Sequence, residues 1–456
     1  MRKIISIIAA VLMVLALTAC GNPSPAPADA TDGGNNQENE VIDQGGEGLT
    51  PVFSATINET VLVDEKDVKI TATELTYTGY SAELELLIEN NSDRDLSFYA
   101  GTLGYSVNSV NHYMIADGYL GEDVDAGMQA KPSVSFSLDQ LMMYGITDIA
   151  DIGLGIEIKD GYDEYLITGP IEIPTSIADT YDYDKDTFRE AMNSKALAKE
   201  YGFVIDYYSD DALFDESGIK ILSSYVITNE DGEQGLLLEV INQSDKNQYA
   251  IAADSVLNGI DVSDYGDSEM VAPGKRAVLD ITFDDLLDPS YLELLGIKEY
   301  SEYACTFEVA TEDGTTLAGK DIQIVFGKTG AAESFSGETL YDANGFTIQN
   351  VGLVEDSSSY SDDLHLLLLV KNGTNQTVSV DNGFNDAYVN KMKTTVIMYS
   401  KTVKPGKTGL LDIELMENDL ESNNLTLSDI TEISLKLDVR DDNYMTVDEP
   451  EVKITY

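Results

Sequence analysis

The chain has no tryptophan, only two cysteines and only two histidines among its 456 residues. Basic side chains are also scarce: 27 Lys and Arg stand against 82 Asp and Glu, which gives a formal net charge of −55 at pH 7. Nucleic acid is excluded as a partner, because phosphate binding needs clustered cationic side chains. Electrostatic attraction to anionic lipid is excluded for the same reason. We expect the acidity to provide solubility, with attraction of cations or of a basic partner as the alternative.

The first 19 residues have the organisation of a secretion signal. Two basic residues precede a largely apolar run over residues 4–17, and small residues follow it. As a helix this run rises only about 21 Å, less than the hydrocarbon core, so we expect it to be removed. The sequence Leu17-Thr18-Ala19-Cys20 resembles the lipobox of bacterial lipoproteins. The resemblance implies cleavage after Ala19 and a diacylglyceryl group, with palmitate-type acyl chains, on the Cys20 sulfur.

The next segment, residues 20–50, is rich in Pro, Ala, Gly, Asn and acidic residues and has few apolar side chains. Such a composition predicts a disordered tether with an end-to-end distance of about 30 Å. Two acyl chains anchor a protein stably, whereas one binds a membrane only marginally. We therefore predict a protein held by lipid on the extracellular face of the cell membrane.

One pattern occurs three times in the rest of the chain. An alternating strand ends in an Asn-x-Ser/Thr triplet at Asn90, Asn242 and Asn372. We interpret these triplets as Asx-type turns rather than as glycosylation acceptors. The aliphatic residues before them have the period of two that indicates a strand with one buried face. They are Leu84, Leu86 and Ile88, then Leu236, Leu238 and Val240, then Leu366, Leu368 and Val370.

Three further elements recur after each triplet. The first is an aliphatic-Asn step, at Val107-Asn108, Leu257-Asn258 and Val389-Asn390. The second is a glycine turn, at Ala126-Gly127-Met128, Pro273-Gly274-Lys275 and Pro405-Gly406-Lys407. The Pro-Gly pairs predict type II turns. The third is a strand with inward positions Leu154, Ile156 and Ile158, then Cys305, Phe307 and Val309, then Leu435, Leu437 and Val439.

These repeats predict an all-β chain of three tandem immunoglobulin-like β-sandwiches, with a barrel of the same strands as the alternative. The predicted segments are a signal peptide (1–19), the lipidated cysteine and tether (20–50), sandwich 1 (51–178), a helical linker (179–203), sandwich 2 (204–328), a short linker (329–337) and sandwich 3 (338–456). In the helical linker, Thr187 with Glu190 predicts a capping box, and Gly202 is placed to end the helix. The helix either separates two sandwiches or packs on one of them.

The triplets, the aliphatic-Asn step and the Pro-Gly-Lys turn together resemble immunoglobulin-like domains of unknown function in lipoproteins of Gram-positive bacteria. The resemblance covers most of residues 59–456. It implies a fold and a location, and it carries over no functional residue.

Few residues suit catalysis. His112 and His365 do not recur between the repeats, and no motif links either of them to a serine, so we predict that the chain is not an enzyme. Lipidation of Cys20 leaves Cys305 without a disulfide partner. Because Cys305 aligns with two leucines, we interpret it as a small buried hydrophobe.

A weak candidate for a metal site is the series Asp182, Asp184 and Asp186, which matches the start of a calcium loop. An EF-hand needs glycine at position six and glutamate at position twelve, whereas Thr187 and Asn193 stand there. We prefer an acidic helix N-terminus and expect no cofactor, with calcium as the alternative.

The function predicted from the sequence is a non-enzymatic binding or adhesion module of the cell envelope, with a protein or a glycan as the unidentified ligand. The 26 tyrosines suit such recognition where they are exposed. The alternative is a spacer of the envelope, either calcium-dependent or purely mechanical.

Overall fold

The computed structural model describes residues 49–101, 108–327, 337–355, 364–383 and 385–456. Leu17, Ala19, Cys20 and almost all of the predicted tether lie outside the described residues. The described residues form an all-β structure of packed sheets, as predicted. Its α-helices have four to six residues each: α1 Leu138–Met143, α2 Thr187–Met192, α3 Lys195–Glu200, α4 Phe283–Leu286 and α5 Glu417–Ser422.

The strands follow the three repeats of the sequence. In and around the first repeat they are β1 Thr60–Glu65, β2 Val68–Tyr77, β3 Ser81–Asn90, β4 Leu96–Ala100, β5 Ser109–Val110, β6 Tyr113–Met114, β7 Leu120–Val124, β8 Gln129–Ala130, β9 Ser133–Ser137, β10 Asp151–Asp160 and β11 Asp163–Pro174. In and around the second they are β12 Phe203–Ser209, β13 Asp215–Glu216, β14 Ile219–Asn229, β15 Gln234–Asn242, β16 Gln248–Leu257, β17 Ile260–Val271, β18 Arg276–Thr282, β19 Glu302–Thr311 and β20 Thr316–Val325. In the third they are β21 Glu338–Ala343, β22 Phe346–Glu355, β23 Leu364–Asn372, β24 Val378–Asp381, β25 Ala387–Val389, β26 Met392–Thr394, β27 Val396–Ile397, β28 Lys401–Val403, β29 Thr408–Leu415, β30 Glu432–Lys436, β31 Asp438–Asp441, β32 Thr446–Asp448 and β33 Glu451–Thr455.

The chain divides into two compact units. Unit 1 comprises the described residues of the ranges 49–250, 269–282 and 309–317, and unit 2 comprises those of the ranges 251–268, 283–308 and 318–456. The second repeat thus contributes strands to both units. The prediction of three tandem sandwiches does not anticipate this division. The sequence shows the repeats, but it does not show that strands of successive repeats pair with one another in shared sheets.

Unit 1 is a sandwich of two sheets. One sheet has five strands in the order β1-β2-β3-β8, with β9 also on β3. The other has 11 strands, in the order β12-β14-β15-β18-β6-β5-β10-β4-β7, with β11 on β10 and β13 on β14. Strands of the first and second repeats therefore share one continuous sheet, joined where β6 pairs with β18.

The core of unit 1 contains the predicted inward-facing residues. Leu84 and Leu86 of β3 and Leu154 of β10 are no more than 1% exposed and belong to one cluster. In β15, however, the face predicted to point outward is buried as well, at Leu237 and Glu239. Helix α2 and its neighbour α3 place Phe188, Ala191, Met192 and Leu197 in this core, so the second face of β15 is not left to solvent.

The predicted linker helix is two short helices, which corrects the expectation of one. Asp186, not Thr187, is the N-cap of α2, and its carboxylate accepts a hydrogen bond from the Arg189 amide at 3.0 Å. Ser194 caps α3 in the same way through the Leu197 amide at 3.3 Å. Gly202 follows the end of α3 with φ +62°, as predicted for a residue that ends a helix.

Unit 2 contains three sheets. The largest has nine strands, in the order β20-β19-β16-β17-β29-β23-β22-β21, with β27 on β29. The other two have four strands each, in the orders β28-β24-β31-β32 and β26-β25-β30-β33. Leu366, Leu437 and Val439 lie fully buried in one core, as predicted. Here the second and third repeats share the large sheet, joined where β17 pairs with β29.

The three triplet asparagines are fully buried and make the same hydrogen bonds. Asn242 donates to the carbonyls of Lys246 and Val271, both at 2.7 Å, and accepts from the Ser244 amide at 2.8 Å and the Ser244 hydroxyl at 2.7 Å. Equivalent bonds surround Asn90 and Asn372. The predicted Asx-type turns are confirmed. A buried amide with all these partners is not an acceptor for a glycan.

The Pro-Gly-Lys sequences form the predicted type II turns. Gly274 and Gly406 have φ +71° and +75°, the left-handed region that a type II turn requires at this position. The following lysine amides close the turns, at 3.0 Å for Lys275 and 3.1 Å for Lys407. The first repeat makes the same turn without proline, and Gly127 has φ +72°.

The aliphatic-Asn step needs one correction. In the first repeat the equivalent of Asn258 and Asn390 is Asn111 and not Asn108. Asn111 has a left-handed φ of 49° in a hairpin turn, and the other two have 48°. Each of the three accepts hydrogen bonds from two consecutive backbone amides of the strand that follows the helical segment. Asn108 instead donates to the carbonyls of Asp117 and Gly118. Val-Asn occurs twice within five residues, and the sequence does not say which copy forms the turn.

Candidate functional site: the two strand junctions

The first junction lies within unit 1, where the hairpin β5–β6 meets β18. The strands pair in parallel with Arg276 opposite Tyr113, and the Arg276 amide donates to the His112 carbonyl at 2.7 Å. Asn111 fixes the hairpin, and the type II turn at Gly274 directs β18 toward it. The sheet of one repeat therefore continues directly into the sheet of the next.

Side chains at the first junction surround a buried carboxylate. Glu239 of β15 is fully buried, and its Oε1 accepts from the Arg276 guanidinium at 3.0 Å and from the Tyr113 hydroxyl at 3.0 Å. Its Oε2 accepts from the Ser223 hydroxyl at 2.9 Å. A buried ion pair stabilises only when its hydrogen bonds are satisfied, and both carboxylate oxygens are satisfied here. The pair fixes the register between the two repeats.

Burial raises the pKa of Glu239 above its usual value, and Asp186 adds to the effect while Arg276 opposes it. The folded state thus holds the Glu239 proton more tightly than the unfolded chain does. Its contribution to stability is fully present below pH 4.5, the ordinary pKa, and is lost as the pH rises through the folded pKa.

We therefore expect Glu239→Gln to reduce the gain in melting temperature that the wild type shows when the pH falls from 8 to 4.5. Glu83→Gln is the matched control. Burial alone would raise the pKa of Glu83, but hydrogen bonds from serine hydroxyls outweigh it and lower the pKa, so Glu83 titrates below this pH range. Thermal melts of the three proteins across the pH range measure the difference. An unchanged pH profile in Glu239→Gln would contradict this assignment.

A second ionic cluster lies beside the first junction. Lys275 is buried, with its Nζ 2.9 Å from Glu172 Oε1 and 3.9 Å from Asp151 Oδ1. His112 Nε2 lies 3.6 Å from Asp151 Oδ2, and the imidazole stacks on Tyr183 with ring centroids 4.2 Å apart. Burial and the nearby Lys275 lower the pKa of His112, so the ring is neutral at pH 7. This histidine packs the junction, in agreement with a structural role.

The second junction lies within unit 2 and repeats the arrangement of the first. Strands β17 and β29 pair in parallel with Asp261 opposite Gly409, one residue along from the first junction in both strands. Lys401 is buried, and its Nζ lies 2.5 Å from Asp261 Oδ1 and 3.0 Å from Asp264 Oδ1. Lys404 Nζ lies 2.7 Å from Asp254 Oδ2. The charges are arranged as they are around Lys275 at the first junction. In both places, lysines of the following repeat pair with carboxylates of the preceding repeat.

A cavity of about 280 Å³ opens beside the second junction. Six of the residues that line it are charged: Asp254, Asp261, Glu302, Asp321, Lys404 and Lys407. Glu302 occupies the position of Asp151, since its amide donates to Asn258 as that of Asp151 does to Asn111. Gly259 stands where His112 fills the first junction, which leaves the space open.

Cys305 also borders this cavity and is 3% exposed. Burial raises the pKa of its thiol to about 12, so the thiolate is scarce at neutral pH. The prediction that Cys305 is a small buried hydrophobe is confirmed by its burial.

His365, the second predicted candidate, lies in unit 2 against an aspartate and a tyrosine. Its Nδ1 is 2.7 Å from Asp412 Oδ1 and 3.1 Å from the Tyr291 hydroxyl, which itself donates to Asp412 Oδ2 at 2.7 Å. The three side chains satisfy one another and hold the segment around Tyr291 to β23 and β29.

The aspartates of the calcium-loop pattern do not converge. Asp186 caps α2, and Asp182 accepts a hydrogen bond from the Asp184 amide at 3.1 Å. Across the ranges that the structure describes, His, Cys, Asp and Glu side chains form no group of three that is able to hold a metal ion.

Sequence reasoning missed the residues that build the junctions, above all Glu239, Arg276, Asp261 and Lys401. One cue was present: Glu239 interrupts the apolar run of β15, where a charged side chain is expected to be exposed unless it is paired. The partner across the junction is not identifiable from that cue.

Within the described part of the chain, no helix is long and apolar enough to cross a bilayer.

No protein-family model and no curated protein matches the chain. Among solved structures it is similar to a protein of unknown function from Porphyromonas gingivalis W83, with 12% identity over 49% of this chain and 91% of that one and a TM-score of 0.15. A biofilm-associated protein BSP domain matches at 10% identity over 91% and 68%, with a TM-score of 0.12. Red sea bream transglutaminase matches at 9% identity over 66% and 37%, with a TM-score of 0.14. At these TM-scores the likenesses carry no argument about function.

Proposed function

We propose that this protein is a lipid-anchored, non-enzymatic module of the extracellular cell envelope that carries binding surfaces on sheets shared by successive repeats. The observation that carries the proposal is the repeated junction, in which a strand of one repeat extends the sheet of the repeat before it. Linked domains usually move relative to one another unless a large interface holds them. Here backbone pairing and buried ion pairs oppose such motion at each junction, which suits a scaffold.

The ligand class that best suits such a surface is a protein or a glycan of the envelope. Several tyrosines are highly exposed, among them Tyr80, Tyr162, Tyr399 and Tyr444 at 82–105%. Exposed tyrosines provide contact area with a polar end. A pull-down from envelope extract with residues 50–456 tests this, and we expect the same captured ligand with calcium and with chelator. Capture of nothing, together with turnover of a substrate in a hydrolase panel, would contradict the proposal.

The anchor is tested by Cys20→Ala. We expect full-length protein to move from the membrane fraction to the medium in this variant, because the acyl chains attach to the Cys20 sulfur. Cys305→Ala is the matched control and is expected to stay in the membrane fraction, since its thiol is buried. Immunoblots of the two fractions measure the distribution. Retention of Cys20→Ala in the membrane would exclude lipidation as the anchor.

A further inference from the structure

The edge that receives the following repeat at both junctions occurs a third time, and there the described residues add no further strand to it. In the third repeat it is the hairpin β25–β26, where Asn390 and Lys391 occupy the positions of Asn111 and His112. Strand β26 lies at the edge of its four-stranded sheet. We call residues 388–394 the terminal edge. An unpaired edge strand offers backbone groups for the addition of another strand.

The charges of the terminal edge are reversed relative to the two junctions. Lys393 holds the position of Asp261, because each lies three residues after the hairpin asparagine of its repeat. Lys453 holds the position of Glu172, since it pairs with Ser434 as Glu172 pairs with Gly153. Its Nζ lies 2.7 Å from Glu432 Oε2, and Lys393 pairs with Asp386. The two carboxylates are thus neutralised, and Lys391 remains as an exposed positive charge.

The strand that would fit this edge has a counterpart in the first repeat, which pairs on one side with β3 and on its other side with no described strand. This strand is β8, at the edge of the five-stranded sheet. Its residue Gln129 is the equivalent of Arg276, because each pairs with the residue before the triplet asparagine of its repeat. We call residues 122–130 the starting edge. Asn90 donates to the Val124 carbonyl as Asn372 donates to the Val403 carbonyl, so Val124 and Val403 are equivalent. Counting from them, Glu122 aligns with Lys401, and Asp125 aligns with Lys404.

The starting edge therefore carries two acidic residues at the positions where the second junction has lysines. At the terminal edge, Lys393 stands where the second junction has Asp261, and Lys453 stands where the first junction has Glu172. On the starting edge, Met128 takes the position that Lys275 and Lys407 hold in the other repeats. The starting edge therefore has no lysine there that would repel Lys391 and Lys453. Asp125 and Met128 are exposed, and Tyr388 and Met392 are 38% and 40% exposed on the other edge. Tyrosine and methionine are enriched in protein interfaces.

We propose that the terminal edge of one chain binds the starting edge of a second copy, head to tail, by the parallel strand addition that joins the repeats within the chain. Such a contact is heterologous, because the two surfaces that meet are different. Lys131 and Pro132 replace Val278 and Leu279 just beyond the contact, which restricts it to the start of the strand. The contact is accordingly weak, and the proposed lipid anchor favours it by concentrating copies on one surface.

The test uses soluble protein of residues 21–456, as wild type and as two variants with reversed charges. One carries Lys391→Glu and Lys393→Glu at the terminal edge, and the other carries Glu122→Lys and Asp125→Lys at the starting edge. Sedimentation velocity over a concentration series at physiological ionic strength measures association, and circular dichroism melts verify folding. A control variant carries Lys371→Glu and Lys199→Glu, which reverse two exposed charges on β23 and α3, elements that belong to neither edge.

We expect the wild type and the control to associate, and each edge variant alone to associate at least about tenfold more weakly, because like charges then face each other. An equimolar mixture of the two edge variants is expected to regain association. A wild type and a mixture that both remain monomeric would overturn the proposal, as would edge variants that associate like the control. Neither result changes the membrane retention tested with Cys20→Ala, so failure of self-association is distinguishable from failure of the proposed anchoring role.

Discussion

Replacing Arg276 with alanine is expected to destabilise unit 1 by about 3–5 kcal/mol, because it leaves Glu239 buried without its counter-ion. At the scale typical of domains of this size, the melting temperature falls by roughly 6–20 °C. The Tyr113 and Ser223 hydroxyls still donate to Glu239, but neither carries a positive charge. Thermal melts followed by circular dichroism measure the loss.

Two further variants show whether the lost charge pair is the cause. Arg94→Ala removes an exposed guanidinium that pairs with Asp160 in the same unit, and we expect a melting temperature near that of the wild type. Arg276→Met combined with Glu239→Leu removes both charges and is expected to recover most of the stability, because an apolar replacement leaves no unpaired charge. If the double variant melts as low as Arg276→Ala, the ion pair is not what stabilises this junction.

Asn242→Ala is expected to cost about 2–4 kcal/mol, since the carbonyls of Lys246 and Val271 and the Ser244 amide lose their partner together. The corresponding fall in melting temperature is on the order of 5–15 °C. Asn247→Ala, a few residues along the same loop, removes a half-buried side-chain amide whose hydrogen bond to Glu312 is exposed, and this substitution is expected to change little. Equal effects of the two substitutions would show that the buried turn is not specifically stabilising.

The sequence was sufficient to predict the fold class and the local turns. Alternation at Leu84, Leu236 and Leu366 identified the buried face of the central strands, because a period of two is a property of a single strand. The Asn triplets and the Pro-Gly turns were predictable for the same reason: each depends on residues close together in sequence and on one backbone conformation.

The junctions were not predictable, because they depend on pairing between residues far apart in sequence. Arg276 meets Tyr113, and Asp261 meets Gly409, in short parallel contacts that leave no periodic pattern in either strand. The burial of Leu237 on the supposed outer face of β15 has the same origin. It depends on where α2 packs, and α2 itself carries too few residues to show which sheet it covers.

The central claim is that successive repeats share continuous sheets, and native-state hydrogen exchange of single amides tests it most directly. The Arg276 amide donates across the first junction to the His112 carbonyl, whereas Gln129 holds the equivalent position on the edge strand β8. In dilute solution, where copies are separate, we predict that the Arg276 amide is protected like the amides within β15, and that the Gln129 amide exchanges rapidly. Rapid exchange at both positions would contradict the account, because it would show that the repeats separate at the junction.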